Sequence, residues 1–301
     1  MMKAIAAVIT LACSSAYGLT VQVLNVPGEG AAAHALNDKG QVVGTYLPDF
    51  GFLWQNGTVT LLFDILPYDI NNEGIIAGQR PSPNLGPLIK NLNSGVTTPI
   101  PVPSCVNLYG AAVAISDSGF VVGSTCGQAW RYQIGGGLQL IGCPFPRGEC
   151  RAGASAVNDS GVVGGWFNYN NANFNYAFYY NGFPFLLNRQ IAQSVLSVNN
   201  NGVMAGGGVN EPFIFNGMQF LDVTLPKGLT GGYFRSINDD GVAVGTATII
   251  GTNETRGIIY QNGVVTILGE QIIAANRINN SGQIAGTAVI GGQQKAVLIS
   301  P

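Results

Sequence analysis

Residues Ile237–Gly245 read INDDGVAVG, and this nine-residue pattern decides the fold. The pattern is an aliphatic residue, Asn or Ser, Asp or Asn, any residue, glycine, three mostly apolar residues and a second glycine. Seven copies follow one another: Leu36–Gly44, Ile70–Gly78, Ile115–Gly123, Val157–Gly164, Val198–Gly206, Ile237–Gly245 and Ile278–Gly286. The fourth copy is one residue shorter before its second glycine. Such self-similarity is the sequence signature of a repeat architecture.

The chemistry of the motif predicts a tight hairpin turn. In the first copy, Asn37 opens a type I turn, where its side chain accepts a hydrogen bond from the turn backbone. Gly40 supplies the left-handed conformation that matches the turn to the twist of its strands. The strand before the turn is named strand a, and the apolar strand after it is named strand b.

A second hairpin signal follows the motif. An Asn-Gly pair stands between two apolar runs, as in the stretches 52–57, 213–217 and 258–263. This arrangement is the strongest short hairpin signal, and it adds strands c and d to the repeat. The first glycines of successive motifs lie about 40 residues apart, and four strands at that period are typical of a β-propeller blade.

The two ends of the chain complete the count of repeats. The last repeat stops at a strand c near Ser300, and Thr20–Val26 stands where a strand d would precede the first motif. We therefore predict an all-β, seven-bladed β-propeller of four-stranded repeats, closed by the N-terminal strand so that no sheet edge stays exposed. A solenoid is the alternative. We expect a monomer, although closure between two chains would give the same pattern.

Residues 1–18 are predicted to be a signal peptide, and residues 19–301 the propeller. An apolar run from Ala4 to Ala12 follows a positive residue, and small residues at Ala16 and Gly18 suit a cleavage site. The expected destination is secreted and extracellular, with the periplasm as the alternative. Lipoprotein processing at Cys13 is a further alternative. The apolar run is too short to span a membrane, so no membrane span is predicted.

Four cysteines remain after the signal peptide, and we predict the disulfides Cys105–Cys126 and Cys143–Cys150, because an even number in an exported chain indicates pairing. No C-x-x-C occurs and the chain has one histidine, so we predict no metal and no cofactor. The net charge of −2, without basic runs, argues against nucleic acid as a partner.

The motif resembles the extracellular HAF repeats, a family named for a His-Ala-Phe stretch before the Asn-Gly turn. The Ile-Asn-Asp-x-Gly-x-Val-Val-Gly element agrees well over nearly the whole mature chain. The His-Ala-Phe element agrees only in part, as Ala177-Phe178 or Pro212-Phe213, and its histidine is missing from every copy. The resemblance implies an exported bacterial repeat protein that is released rather than anchored. It implies no particular reaction.

Candidate binding residues lie in the variable loops. The a–b and c–d turns are short and similar, whereas the d–a and b–c connections on the other face vary, as binding loops on a rigid scaffold do. In the fourth repeat, the b–c connection alternates aromatic residues with asparagine. The candidate ligand-binding residues are Trp166, Tyr169, Phe174 and Tyr176, together with Arg147 of the small predicted disulfide loop. Packing of these rings on neighbouring loops is the alternative.

These loops favour a non-catalytic binding or interaction module, with a carbohydrate or a cell-surface protein as its partner. No catalytic residues are assigned, because the chain has neither G-x-S-x-G nor H-E-x-x-H. We expect His34 to line the channel, with a role as general base as the alternative. The second functional hypothesis is a secreted propeller hydrolase or lyase that acts on a polysaccharide through carboxylates at the channel mouth. An enzyme should show a deep axial pocket, and a binding module a shallow aromatic surface.

Overall fold

The fold is all-β, and its strands follow the repeats of the sequence. The computed structural model describes residues 18–82, 85–103, 110–145, 149–170, 172–188 and 190–301. Within these ranges the strands are β1 (Thr20–Val23), β2 (Ala32–Leu36), β3 (Val42–Tyr46), β4 (Phe50–Gln55), β5 (Thr58–Leu62), β6 (Leu66–Ile70), β7 (Ile75–Gln79), β8 (Pro87–Asn91), β9 (Thr97–Pro99), β10 (Gly110–Ile115), β11 (Phe120–Thr125), β12 (Gln128–Gln133), β13 (Leu138–Ile141), β14 (Cys150–Val157), β15 (Val163–Tyr169), β16 (Tyr176–Tyr180), β17 (Pro184–Leu186), β18 (Ala192–Val198), β19 (Met204–Gly208), β20 (Pro212–Phe215), β21 (Leu229–Ile237), β22 (Ala243–Ile249), β23 (Thr255–Gln261), β24 (Val264–Ile267), β25 (Ile272–Ile278), β26 (Ile284–Ile290) and β27 (Gln293–Ser300). No helix able to cross a membrane occurs in this part of the chain.

Strands that follow one another in sequence pair antiparallel in small sheets, which we number as repeats. Repeats 1 to 7 begin with β2, β6, β10, β14, β18, β21 and β25, respectively. Repeat 7 is completed by the first strand, because β1 pairs with β27 from Thr20 opposite Ser300 to Val23 opposite Val297. Repeats 5 and 6 belong to one sheet, since Gly207 pairs with Tyr233. The prediction of an all-β fold is confirmed. Six of the seven repeats have the predicted four strands, whereas repeat 5 has three in the described residues, β18 to β20.

The two glycines of the motif have different roles. The first has the predicted left-handed backbone, with φ of +71° at Gly40 and +83° at Gly119. The second lets two strands approach closely, because a Cβ at Gly44 would collide with a strand a carbonyl oxygen. In repeat 4 the residue in the same environment is Gly165, where a Cβ would collide with the carbonyl oxygen of Gly153. The prediction of a shortened fourth copy is therefore wrong, since the motif there ends at Gly165.

The asparagine at the second motif position joins one repeat to the next. Oδ1 of Asn199 accepts hydrogen bonds from the backbone amides of Asn201 and Val203 in its own turn. Its Nδ2 donates to the carbonyl oxygen of Asn238, the equivalent residue of repeat 6, at 2.9 Å. We call these cross-repeat bonds the asparagine ladder. They run from Asn37 to Asn71, Asn71 to Ser116, Asn158 to Asn199, Asn199 to Asn238, Asn238 to Asn279 and Asn279 to Asn37.

The ladder changes chemistry between repeats 3 and 4, where Ser116 occupies the asparagine position. The Ser116 hydroxyl accepts from the Phe120 amide, as an asparagine oxygen would, but the residue has no amide to donate. Across the same gap, Nη1 of Arg131 donates to the carbonyl oxygen of Gly161 at 2.6 Å. The Arg131 guanidinium also lies over the rings of Phe120 and Tyr180. A longer side chain thus supplies a bond between these repeats.

Apolar cores lie between neighbouring repeats. Val43 and Leu62 of repeat 1 are buried with Ile76 of repeat 2. In the same way, Leu298 of β27 is buried with Phe52 of repeat 1. Repeats 7 and 1, at opposite ends of the chain, therefore share a core and a ladder bond of the same kinds as neighbours in sequence.

Exchanging residues between two equivalent ladder positions tests this account. Asn199→Ser should lower the free energy of unfolding by about 1 kcal/mol, because one buried hydrogen bond between repeats is lost. Ser116→Asn should raise it by a similar amount, since the added amide can reach the carbonyl oxygen of Asn158. The measurement is thermal and urea unfolding of both variants, with shifts in Tm of about 2 °C in opposite directions. A shift of the same sign in both would contradict the ladder.

Candidate functional site

Every strand a carries a β-bulge at the same position, two residues before the motif. A bulge leaves one residue out of the pairing and re-aims its side chain. The bulged residues are His34, Tyr68, Val113, Ser155, Leu196, Arg235 and Asn276. All of them line one cavity of about 320 Å³. We call this the axial cavity, and its lining from seven separate repeats makes it the candidate site.

The axial cavity lies on the side of the variable connections. Besides the bulged residues, Ser124, Gly153 and Trp166 line it. Gly153 pairs with Trp166, farther along the strands from the a–b turn than Val157 opposite Val163. The cavity therefore extends from the bulges toward the ends of the strands that carry the d–a and b–c connections.

The motif turns enclose a second, smaller opening of about 110 Å³. The third motif residue of one repeat accepts a hydrogen bond from a turn amide of the preceding repeat, as Asp239 does from Asn200 at 2.8 Å. From one repeat to the next, the third motif residue alternates between Asp and Asn. The exception is Asp117 of repeat 3, which is followed by Asp159 of repeat 4. Burial, and less strongly the charge of Asp159, raise the pKa of Asp117. No cluster of three or more His, Cys, Asp or Glu side chains suited to a metal is found among the described residues.

His34 is the only histidine of the chain, and it faces the axial cavity. Its Nε2 lies 3.0 Å from Oγ1 of Thr45, and its ring stacks on Tyr68 with 6.2 Å between centroids. Burial, followed by the positive charge of Arg235, lowers the pKa of His34 from 6.5 to about 4. The imidazole is therefore neutral at pH 7. No hydrogen bond joins its Nδ1 to the described residues, so Nδ1 can accept a proton in the tautomer that carries its hydrogen on Nε2, toward Thr45.

Tyr68 supplies a hydroxyl next to the histidine. Its OH donates to Oε1 of Gln79 at 3.1 Å. Burial, and secondly the negative charge of Asp49, raise the pKa of Tyr68, so the phenol keeps its proton at neutral pH. A neutral imidazole and a protonated phenol thus stand side by side in one cavity, as a proton acceptor and a proton donor.

Two arginines line the cavity, and one of them is paired with an aspartate. Nη2 of Arg277 lies 3.2 Å from Oδ2 of Asp69, which is buried and also accepts from the amides of Ile70 and Ile115. Burial raises the pKa of Asp69, and Arg277 opposes this rise. The guanidinium of Arg235 lies over the ring of Tyr233 at 5.3 Å. Among the described residues Arg235 forms no salt bridge, so its charge is available to an anion.

Trp166 lines the axial cavity, alone among the predicted binding residues that the structure describes. Its indole lies against the backbone of Gly153, where a Cβ would stand 2.6 Å from Nε1. A residue larger than glycine at position 153 would therefore push the indole aside. The tryptophan provides an aromatic surface in the same cavity as His34 and the two arginines.

The other predicted binding residues lie apart from the cavity lining. Tyr169 stacks on Phe145 with 4.5 Å between ring centroids, and Tyr176 meets the same ring edge-on at 5.1 Å. Phe174 in turn contacts Tyr176. These rings pack on a neighbouring loop, as the alternative interpretation expected, and a role in binding stays a prediction. Arg147 lies outside the described residues.

The disulfide prediction is confirmed where the structure describes both cysteines. Cys143 and Cys150 are bonded, with 6.3 Å between their Cα atoms. Cys126 is also disulfide-bonded. Its predicted partner, Cys105, and the predicted signal peptide up to residue 17 lie outside the described residues.

Four residues that line the cavity were not among the predicted site residues: Tyr68, Arg235, Asn276 and Arg277. Tyr68, Arg235 and Asn276 stand two residues before the motif, and Arg277 stands one residue before it. Only these positions could have indicated them, because their side chains share no chemical type. In a regular strand the side chains alternate between the two faces of the sheet. This alternation does not predict that a residue in this position points toward the axis. The bulge determines that direction, and the spacing of the motif does not reveal it.

No protein-family model and no curated protein matches the chain by sequence. Solved β-propellers match its structure. A catalytically inactive histidine-to-alanine variant of virginiamycin B lyase from Staphylococcus aureus, with quinupristin, has a TM-score of 0.62 and 12% identity over 94% of this chain and 99% of that one. A streptogramin B lyase has a TM-score of 0.60 and 12% identity over 94% and 97%. The propeller domain of the Trilobed protease from Pyrococcus furiosus has a TM-score of 0.55 and 10% identity over 91% and 93%.

These comparisons establish a propeller-like fold, and they change the functional interpretation. The prediction of a non-catalytic binding module is wrong, because solved structures that share this fold over almost its whole length are lyases. The geometry agrees with that correction. The aromatic loop packs on Phe145, whereas His34 faces a cavity at the centre of the repeats. The second hypothesis places carboxylates at the channel mouth, and the described lining of the cavity contains none.

The protonation of His34 can be followed directly by NMR, because it is the only histidine of the chain. In the folded protein its NMR titration should have a midpoint at about pH 4. Arg235→Gln should move the midpoint upward, since a positive charge beside the imidazole is removed, while burial keeps it below 6.5. Arg256→Gln, in a different cluster with Glu254, is the matched control and should leave the midpoint unchanged. A midpoint near 6.5 in the unaltered protein would contradict the described site.

The same group should make stability depend on pH. The folded pKa of His34 lies below the unfolded value of 6.5, so the unfolded chain takes up the proton first. Stability that is present above pH 6.5 is therefore lost as the pH falls from 6.5 to about 4. The difference in unfolding free energy between the protein and its His34→Gln variant, measured across this range, should change in that direction. A constant difference would mean that His34 titrates equally in both states.

Proposed function

We propose that the seven repeats close into a seven-bladed propeller, and that the propeller is an enzyme. Closure is supported by the pairing of β1 with β27, by the ladder bond from Asn279 to Asn37 and by the core that Leu298 shares with Phe52. In a closed ring the seven bulges meet at one axis, and the axial cavity is the centre of the molecule. Export by the predicted signal peptide remains part of this proposal.

The reaction that the cavity supports best is a β-elimination, the chemistry of a lyase. One observation carries this choice: a neutral His34 and a protonated Tyr68 stack on each other in a cavity that also holds Arg235 and Arg277. Elimination next to a carbonyl or carboxylate group needs a base for a carbon-bound proton, an acid for the leaving oxygen and positive charge for the enolate. The lyases among the structural neighbours support the same reaction class.

The residues have separate roles in this mechanism. With the Nε2 proton of His34 directed to Thr45, the Nδ1 lone pair removes the proton from the carbon next to the carbonyl group. The electron pair of that C–H bond becomes the new C=C bond, and the bond from the next carbon to oxygen breaks. Tyr68 donates its proton to the departing oxygen. The arginines stabilise the negative charge that develops on the carbonyl or carboxylate oxygen.

One structural neighbour, a histidine-to-alanine variant, offers a point of comparison for His34. That variant of virginiamycin B lyase is described as catalytically inactive, so a histidine matters in that protein. At 12% identity, no residue of this chain is assigned by equivalence with it. The role of His34 is proposed from its own contacts.

Hydrolysis through paired carboxylates has less support. Glycoside hydrolysis needs two carboxyl groups about 5–10 Å apart across the substrate. Asp69 is buried and held by Arg277 and two backbone amides. The described lining of the cavity contains no carboxylate, although Asp49 is close enough for its charge to act on Tyr68. The hypothesis of carboxylates at the channel mouth is therefore replaced by the pair of His34 and Tyr68.

Product masses test the proposal. The mature protein is incubated with a panel of oxygen-linked polymers and depsipeptides that carry a carbonyl group next to an acidic C–H bond. Elimination leaves the summed mass of the products equal to that of the substrate, whereas hydrolysis adds water. We expect elimination products, and a loss of at least a hundredfold in rate in His34→Ala, since a general base contributes about 10²–10⁴-fold.

Phe183→Ala is the matched control for that loss. This exposed ring lies in the turn between β16 and β17 and outside the lining of the cavity, so the variant should retain its activity. Products that contain added water, activity that survives His34→Ala, or no conversion of any compound in the panel would each contradict the proposal.

A further inference from the structure

The axial cavity combines a charged and an aromatic surface, which restricts the class of substrate. Arg235 brings a guanidinium that has no salt bridge among the described residues, and Trp166 brings an indole held in place by the absence of a side chain at Gly153. A guanidinium fork matches the two oxygens of a carboxylate. An indole face suits the C–H face of a sugar ring as well as other flat apolar groups.

Polar groups that suit hydroxyl recognition complete the lining. Ser124 and Ser155 contribute hydroxyls. The Nδ2 of Asn276 donates to the carbonyl oxygen of Ala33 at 2.7 Å, which fixes the amide and leaves its Oδ1 as an acceptor. Donors and acceptors beside an aromatic face are what a sugar ring requires. A purely apolar ligand would leave these groups without partners, at a cost for each.

We propose that the axial cavity binds a uronic-acid residue of a polysaccharide, with its carboxylate facing Arg235 and its sugar ring against Trp166. This inference rests on the proposed elimination, and it names the substrate class of that site. A uronate has an acidic C–H bond next to its carboxylate and a glycosidic oxygen on the following carbon. Both features are needed for the proposed reaction. Removal of that proton and loss of the glycosidic oxygen would leave an unsaturated sugar and a shortened chain.

A bound carboxylate in this position would also make His34 a stronger base. The charged residues in the described lining of the cavity are Arg235 and Arg277, and Arg277 is paired with Asp69. Thr45 and Tyr68 are the polar contacts of His34, and the charge of Asp49 acts on Tyr68. The positive charge of Arg235 is one cause of the low histidine pKa. An anion beside Arg235 would offset that charge and make the imidazole a stronger base. The substrate would thus activate the base that removes its proton.

Binding of a galacturonate oligosaccharide, compared with a galactose oligosaccharide of the same length, tests this inference. The readouts are the affinity from calorimetry and the NMR signals of His34, the only histidine. We expect the galacturonate compound to bind at least tenfold more tightly, to shift the imidazole signals and to raise the histidine midpoint. Arg235→Gln should lose about tenfold to a hundredfold in affinity for the charged compound alone.

Two matched variants separate local effects from general ones. Arg256→Gln removes a guanidinium elsewhere and should leave the affinity unchanged. Trp166→Phe keeps an aromatic ring with a smaller face, and it should weaken the binding of both oligosaccharides. Equal affinity for the two compounds, or binding that leaves the imidazole signals in place, would overturn the inference.

The outcomes also distinguish this inference from the proposed function. Binding of galacturonate without any cleavage would support the substrate class and contradict the elimination. Elimination of another compound in the panel, dependent on His34 and without binding of galacturonate, would support the reaction and overturn the substrate class.

Discussion

The amide of the second motif residue is the contact on which the rest of the structure depends. Its oxygen closes the turn of its own repeat, and its Nδ2 donates to the next repeat, so one side chain determines both the hairpin and the neighbour. Aspartate could do only the first, because it has no hydrogen to donate. This explains why six of the seven copies have Asn at this position, and why Ser116, the exception, closes its turn without a ladder bond. The third position needs only an acceptor, and it alternates between Asp and Asn except at Asp117 and Asp159.

The ladder and the bulges divide the axis into two zones with different chemistry. At the turns, buried amides and acceptors satisfy one another, and there the residue types recur. Two residues earlier in each strand, the bulge frees one side chain from the pairing, and there the residue types diverge completely. A repeat architecture thus keeps a constant framework while it presents seven independent side chains to one cavity. Function can vary at the bulge position without loss of the contacts that hold neighbouring repeats together.

Much of the fold could be predicted from the sequence, and much less of the site. The motif and the Asn-Gly pairs predict the hairpins, since turn conformations depend on local residues such as Gly40. Pairing of the N-terminal strand with β27 followed from counting strands. The site depends on long-range geometry instead. Arg277 meets Asp69 from a repeat more than 200 residues away, and no local pattern contains that contact. The aromatic loop was conspicuous in sequence because its rings are concentrated, but they pack on Phe145.

The central claim is that one chain closes into a ring around the axial cavity, and a designed disulfide tests it most directly. Thr20 and Ser300 lie opposite each other in the pairing of β1 with β27. In the double variant Thr20→Cys and Ser300→Cys, oxidation at low protein concentration should give a monomer with the new bond, identified by mass spectrometry of its peptides. Cross-linked dimers, or free thiols at both positions under conditions that oxidise Cys143 and Cys150, would contradict closure of a single chain.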